Sequence, residues 1–130
     1  MKLKEDIKYL GVDWGEKRIG LALADNETRI ALAFKTVKNI KELLLVIDLE
    51  AIDYIIIGKP NKLSGAEAPN ANYLNFLNKL KSLTKISLID IDERLSSKAA
   101  DVLGYGGKNR ASRDEGAATL ILQSYLDSIN

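Results

Sequence analysis

Carboxylates stand at three separated places where this 130-residue chain could do chemistry: Asp13, the pair Asp92 and Glu93, and the pair Asp114 and Glu115. Gly15, Lys17 and Arg18 follow the first of them closely. The chain contains no cysteine and no histidine. Disulfides, thiolate nucleophiles and zinc–thiolate centres are therefore excluded, as are the commonest general base and transition-metal ligand. Carboxylates, lysines or hydroxyls must carry any catalysis. Acids gathered without His or Cys suit hard, oxygen-loving cations such as Mg²⁺ or Mn²⁺.

Each acid needs an element to hold it. Lys8 to Asp13 and Arg18 to Asp25 read as two short apolar strands joined by a tight polar turn. Asp13 ends the first strand, where a carboxylate reaches open space while the sheet fixes its backbone. Gly15 removes a side chain there, so a phosphate or a metal-bound ligand can come close. Asp and Gly are also ordinary turn residues, so this stretch alone does not decide the matter.

Ser112-Arg113-Asp114-Glu115 fits the S-x-x-E capping box at the start of a last helix from about Arg113 to Asp127, which assigns Glu115 to the cap. Ala117, Ala118, Ile121 and Tyr125 follow Asp114 at helical spacing, so Asp114 heads the inward face. An inward carboxylate needs a partner, and a cation shared with Asp13 would supply one. Alternation puts Asp90 and Asp92 on one face of a strand, and Ile89, Ile91 and Glu93 on the other. Pattern alone leaves open which of Asp92 and Glu93 reaches the site.

The remaining elements follow from periodicity. Asn26-Glu27-Thr28 is a turn, and Arg29 to Val37 a third strand closing an antiparallel meander. Ile40, Leu43, Leu44 and Ile47 define a helix to about Ala51. The apolar run Asp53 to Gly58 reads as a strand buried on both faces. A loop from Lys59 to Ala68 leads to a helix from Pro69 to about Ser82, and Lys85 to Ile91 is a fifth strand. Ser96 caps a short helix to about Leu103, and Gly104 to Arg110 form a glycine-rich basic loop containing Tyr105. The order β-β-β-α-β-α-β-α-α, with right-handed crossovers, gives an α/β fold: a five-stranded mixed sheet flanked by helices. The site should lie at the carboxyl ends of the parallel strands.

Hydrophobic residues make up 46% of the chain, which fits a folded domain spanning residues 1–130. A formal net charge of +1 advertises no global field, so an anionic partner must meet a local basic patch. The charged start suits no signal peptide, and the apolar run Leu43 to Ile47 stops at Asp48, too short to span a bilayer. A soluble cytoplasmic protein is expected.

Taken together, these blocks resemble the YqgF/RuvX family of RNase H-like proteins, described as Holliday-junction-resolvase-like and as pre-16S ribosomal RNA nucleases. Gly11-Val12-Asp13-Trp14-Gly15-Glu16-Lys17-Arg18-Ile19-Gly20-Leu21-Ala22 resembles the family's G-[LIV]-D-[FY]-G-[ST]-[KR]-R-[IV]-G-[LV]-A. Ile55 to Pro60 resembles its strand end, hydrophobic-G-L-P. Asp92-Glu93-Arg94-Leu95-Ser96-Ser97 resembles D-E-R-L-[ST]-[ST]. Arg113 to Ala118 and Ile121 to Leu126 resemble I-D-x-x-A-A and I-L-Q-x-[YF]-L. The blocks occur in family order along nearly the whole chain. Trp14, Glu16, Lys59 and Arg113 depart from the pattern, and Glu16 adds negative charge beside the expected site.

The resemblance implies an RNase H-like fold and a divalent-metal-dependent nuclease. Asp13, Glu93 and Asp114 would be the catalytic, metal-binding acids of a two-metal Mg²⁺ or Mn²⁺ site, which selects Glu93 over Asp92. Gly15, Lys17, Arg18, Lys59, Arg94, Lys108, Arg110 and Arg113 are the candidate substrate contacts. The expected partner is nucleic acid, either an rRNA precursor or branched DNA, with no membrane, and a weak homodimer is compatible with the sequence. Two rivals remain: a binding module that kept the fold without the chemistry, and an actin-like phosphate-binding domain, for which the chain is too short.

Overall fold

Alternation along strand β1 (Lys8–Trp14) divides the molecule into two packed layers. On one face Leu10 and Val12 are fully buried in a cluster with Leu43, Val46 and Ile47 of helix α1 (Ile40–Leu49) and Tyr73, Phe76, Leu77 and Leu80 of α2 (Ala71–Leu83). On the other, Tyr9 clusters with Ala118, Ile121, Leu122 and Leu126 of α3 (Arg110–Ser128). The computed structural model describes residues 6–59, 71–92 and 110–129, without the side chains of 59, 92 and 110–115. The expected loop after Lys59, the helix start at Pro69, the short helix from Ser96 and the basic loop from Gly104 lie outside the described residues, except that Arg110, expected in that loop, is helical.

The sheet order is β3-β2-β1-β4-β5, with β2 spanning Ile19–Asp25, β3 Leu32–Val37, β4 Tyr54–Lys59 and β5 Ser87–Asp92. The β1–β2 and β2–β3 pairs are antiparallel, whereas β1–β4 and β4–β5 are parallel. This is the expected mixed sheet of five strands flanked by helices. Ile55, Ile56 and Ile57 are all fully buried, as a strand covered on both faces requires. Among the described residues, no helix is long and apolar enough to cross a membrane.

Two element starts differ from the sequence expectation by three residues. β3 begins at Leu32, not Arg29. Arg29 takes a left-handed φ of 55° and donates its N–H to the Asp25 carbonyl, so the chain is still turning there. Helix α3 begins at Arg110, three residues before the expected start. A capping box needs its serine in non-helical backbone, but Ser112 lies inside the helix. The predicted box is therefore not formed, and Asp114 and Glu115 fall in the second turn. Arg110 and Ala111 are good helix formers, so nothing local stops the helix from extending upstream.

Helix α1 shows its ends in full. Asn39 caps it, accepting from the Glu42 N–H at 3.0 Å. It closes with the Ala51 N–H bonded to the Asp48 carbonyl and the Ile52 N–H to the Ile47 carbonyl, a Schellman motif. Ala51 occupies its left-handed position, φ 52°, where glycine is the usual choice.

Candidate active site

Asp13 is half-buried and next to last in β1. Its partner across the antiparallel pair is Gly20. On the parallel side the last printed partners are Val12 and Ile57, and one further step sets Asp13 level with Gly58, itself paired with Ile91. The carboxylate-bearing position thus has a side-chain-free residue on each neighbouring strand. Neither Gly20 nor Gly58 places a side chain beside Asp13 on the face that carries α3.

How closely α3 approaches is set by Gly11. A Cβ there would stand 2.7 Å from both the Ala118 carbonyl oxygen and Leu122 Cβ, so the helix rests almost directly on the β1 backbone. Two residues back, the Tyr9 and Tyr125 ring centroids are 6.3 Å apart. The helix therefore runs antiparallel to β1. From Ala118, one turn toward its N-terminus advances about 6 Å to position 114. From Gly11, two strand residues advance about 6.7 Å to Asp13. The backbone of position 114 and that of Asp13 come to the same level of the molecule by this register.

The parity of β5 extends the same face. Ile89 and Ile91 pack in the α3 cluster, and Leu88 in the opposite one. The odd positions of β5 therefore share the face of Asp13, and Asp90 does not. The next odd position is 93. Glu93, Arg94 and Lys108 lie outside the described residues, as do the side chains of Lys59, Arg110, Arg113 and Asp114. Among the described residues no three acids gather to hold a metal ion.

The hairpin beyond Asp13 is braced from the other layer. Trp14 is half-buried, with its ring centroid 5.7 Å from that of Tyr73 and 6.1 Å from that of Phe76. Glu16 accepts a hydrogen bond from Asn72 Nδ2 at 3.1 Å, which ties it to the start of α2 on the face away from α3. Gly15 has a reason within the hairpin: a Cβ there would stand 2.8 Å from the Arg18 carbonyl oxygen. Lys17 and Arg18 are exposed at the tip. The three helices among the described residues all begin at this end of the sheet, turning their partial positive ends toward the rim.

The sequence pattern singles out Gly15 but gives no role to Gly11, Gly20 or Gly58. Gly11, two residues before Asp13 on the same face, was the available signal. The roles of Gly20 and Gly58 needed the strand pairing.

Residues 7–128 match the family described as RuvX: Holliday junction resolvase. The chain belongs to the RuvX family. A relative from Carboxydothermus hydrogenoformans, named "Putative pre-16S rRNA nuclease", is 34% identical, covering 93% of this chain and 96% of its own. One of the same name from Syntrophus aciditrophicus is 35% identical, with 95% and 91% covered. Among solved structures, T. thermophilus RuvC in complex with a Holliday junction substrate superposes with a TM-score of 0.61 at 12% identity, covering 95% of each chain. The yeast mitochondrial Holliday junction resolvase gives 0.61 at 13% identity, covering 91% of this RuvX chain and 77% of its own. At such identities the likeness is one of fold, and the RNase H-like fold expected from the resemblance is the one present.

Proposed function

We propose that this RuvX protein is a divalent-metal-dependent nuclease of structured nucleic acid, acting in the cytoplasm on the 5′ end of pre-16S rRNA. The observation that carries the reading is the register of α3 on β1. With Gly11 as the contact point, the helix turn bearing position 114 reaches the level of Asp13, beside a strand row occupied by Gly20 and Gly58. The parity of β5 supports position 93 as the third member.

Asp13, Glu93 and Asp114 offer only carboxylate oxygens, the donor chemistry that Mg²⁺ and Mn²⁺ prefer, and these three residues would hold the ions. When bound, such ions supply activation of water and neutralisation of charge at the leaving oxygen. The glycine row leaves space for a phosphodiester to approach Asp13. Lys17 and Arg18 hold the backbone phosphates on the hairpin side. Lys59, Arg94, Lys108, Arg110 and Arg113 are the further proposed contacts. Glu16, bonded to Asn72, serves the hairpin rather than the metal site.

The test is cleavage of precursor 16S rRNA ends beside a four-way DNA junction, with Mn²⁺ titrated from zero. Cation-dependent cleavage of the rRNA ends, lost in Asp13→Asn and Asp114→Asn variants that still fold, is expected. Preferential cutting of the junction would move the substrate to branched DNA, the activity in the family's description. Full activity in Asp13→Asn rejects the site, and cation-independent binding without cleavage identifies a binding module.

A further inference from the structure

Among the described residues five exposed cations meet at one corner, and only Lys17 and Arg18 of them are among the expected substrate contacts. Ile19 and Val37 are partners across β2 and β3. Arg18 precedes the first and Lys38 follows the second, so these two cations stand side by side where the strands end. Lys35 lies one step back, level with Leu21 on the edge strand, with its ammonium 5.4 Å from the centroid of the Phe34 ring. Lys41 sits in the first turn of α1, directly after the cap at Asn39. Lys17, Arg18, Lys35, Lys38 and Lys41 are all exposed.

Two acids accompany these five cations in residues 16–18 and 35–42, and both are engaged. Glu16 accepts from Asn72, and Glu42 accepts the Lys38 backbone N–H at 2.8 Å. With a net charge of only +1 for the whole chain, this excess is local. A lysine on an edge strand also discourages edge-to-edge pairing, which accounts for Lys35 taken alone. Lys38 and Lys41 lie beyond the strand, where that explanation does not reach.

We infer that Lys35, Lys38 and Lys41 extend the Lys17–Arg18 tip into a second phosphate-binding surface, which holds the nucleic-acid backbone on the β2–β3 side of Asp13. The inference rests on the nuclease reading above. It adds that the substrate's footprint reaches past the sheet edge on the β2–β3 side. The ligand chemistry is the phosphodiester backbone, shared by RNA and DNA, and a track of flexible ammonium groups supplies affinity without reading bases.

The experiment compares two triple variants of the full chain that remove the same charge. One is Lys35→Gln, Lys38→Gln, Lys41→Gln. The other, Lys79→Gln, Lys81→Gln, Lys85→Gln, lies at the opposite end of the sheet. Dissociation constants are measured by fluorescence anisotropy without divalent ions, from 50 to 200 mM KCl, on a stem-loop RNA and on a four-way DNA junction. Each lost phosphate contact flattens the plot of log affinity against log salt by about 0.7 to 0.9. The first triple should therefore lose about 2 to 3 in slope, so that its deficit in affinity is about 16- to 64-fold larger at 50 mM than at 200 mM KCl. Lys38→Gln alone should lose about one contact's worth, and the second triple should match wild type. A slope change on RNA, on the junction or on both names the polymer held. Equal slopes for the two triples overturn the surface, while wild-type cleavage in the same preparation leaves the nuclease reading standing. Binding that follows the expected slopes without any cleavage supports the surface and overturns the nuclease. A wild type that binds neither polymer overturns both.

Discussion

At one end of the sheet Asp13 stands between Gly20 and the level of Gly58, while at the other the acids and amides are tied to nearby backbone. Asp25 Oδ1 accepts the N–H groups of Glu27 at 3.0 Å and Thr28 at 2.8 Å. Asp53 Oδ2 accepts the Lys8 N–H at 2.9 Å, and the Asp53 N–H returns to the Lys8 carbonyl at 2.8 Å. Gln123 Oε1 accepts the Ala31 N–H at 2.9 Å, while its Nε2 donates to the Arg29 carbonyl at 3.1 Å. Burial, and then the neighbouring Tyr125, pushes the Tyr9 hydroxyl pKa up and keeps it neutral. The same residue types thus do different work at the two ends. Where turns present backbone N–H groups, a side-chain oxygen becomes a brace. Where neighbouring strands present glycines, a carboxylate stands beside positions that carry no side chain.

The sharpest way to break this contrast is to truncate one acid at each end. Asp13→Asn should lower cleavage on the order of a thousandfold, about 4 kcal/mol in the barrier, with the melting temperature nearly unchanged. Asp53→Ala should do the reverse: about 1–2 kcal/mol less stable in urea, because the Lys8 N–H loses its acceptor, with turnover retained. Finding both effects at either residue would erase the distinction.

Gly11→Ala probes the contact that sets the helix register. Its new methyl meets backbone and Cβ at 2.7 Å, so α3 must shift, at a cost of about 1–3 kcal/mol. Because the register carries position 114, the Mn²⁺ concentration for half-maximal cleavage should also rise. Gln123→Ala matches it at the far end. It should cost about 1–3 kcal/mol by leaving the Ala31 N–H without its side-chain acceptor, while the Mn²⁺ requirement stays at the wild-type value.

Two smaller effects belong to the braced end. Ala51→Gly should gain up to about 1 kcal/mol, since glycine takes the left-handed position of the Schellman motif without a Cβ penalty. Asp25 has its pKa lowered from 3.8, first by the Thr28 backbone N–H. A depressed folded-state pKa favours folding above the unfolded value, and that contribution is lost as pH falls through the lowered one. Stability curves of wild type and Asp25→Asn should therefore differ most near neutrality and converge in acid.

Much of this was legible in the chain because it is local. Leu10 and Val12 alternate with Tyr9 and Gly11, and Ile55 to Ile57 form an unbroken apolar run. Such patterns specify strands and buried faces through covalent geometry alone. The start of α3 was misread because a capping box is a short-range pattern that a run of helix formers can override. Ser112 cannot cap a helix that already contains Arg110 and Ala111.

Asp13, as an acid ending an apolar strand before a glycine turn, could be singled out from residue order, and so could the expectation that any metal would be a hard cation in a chain without His or Cys. Which face of β5 looks toward α3, and how far along β1 that helix slides, could not. Those depend on Ile89 and Ile91 entering the α3 cluster and on Ala118 and Leu122 settling over the bare Gly11 backbone. Such contacts join residues from about thirty to about a hundred and ten positions apart, and only chain packing brings them together.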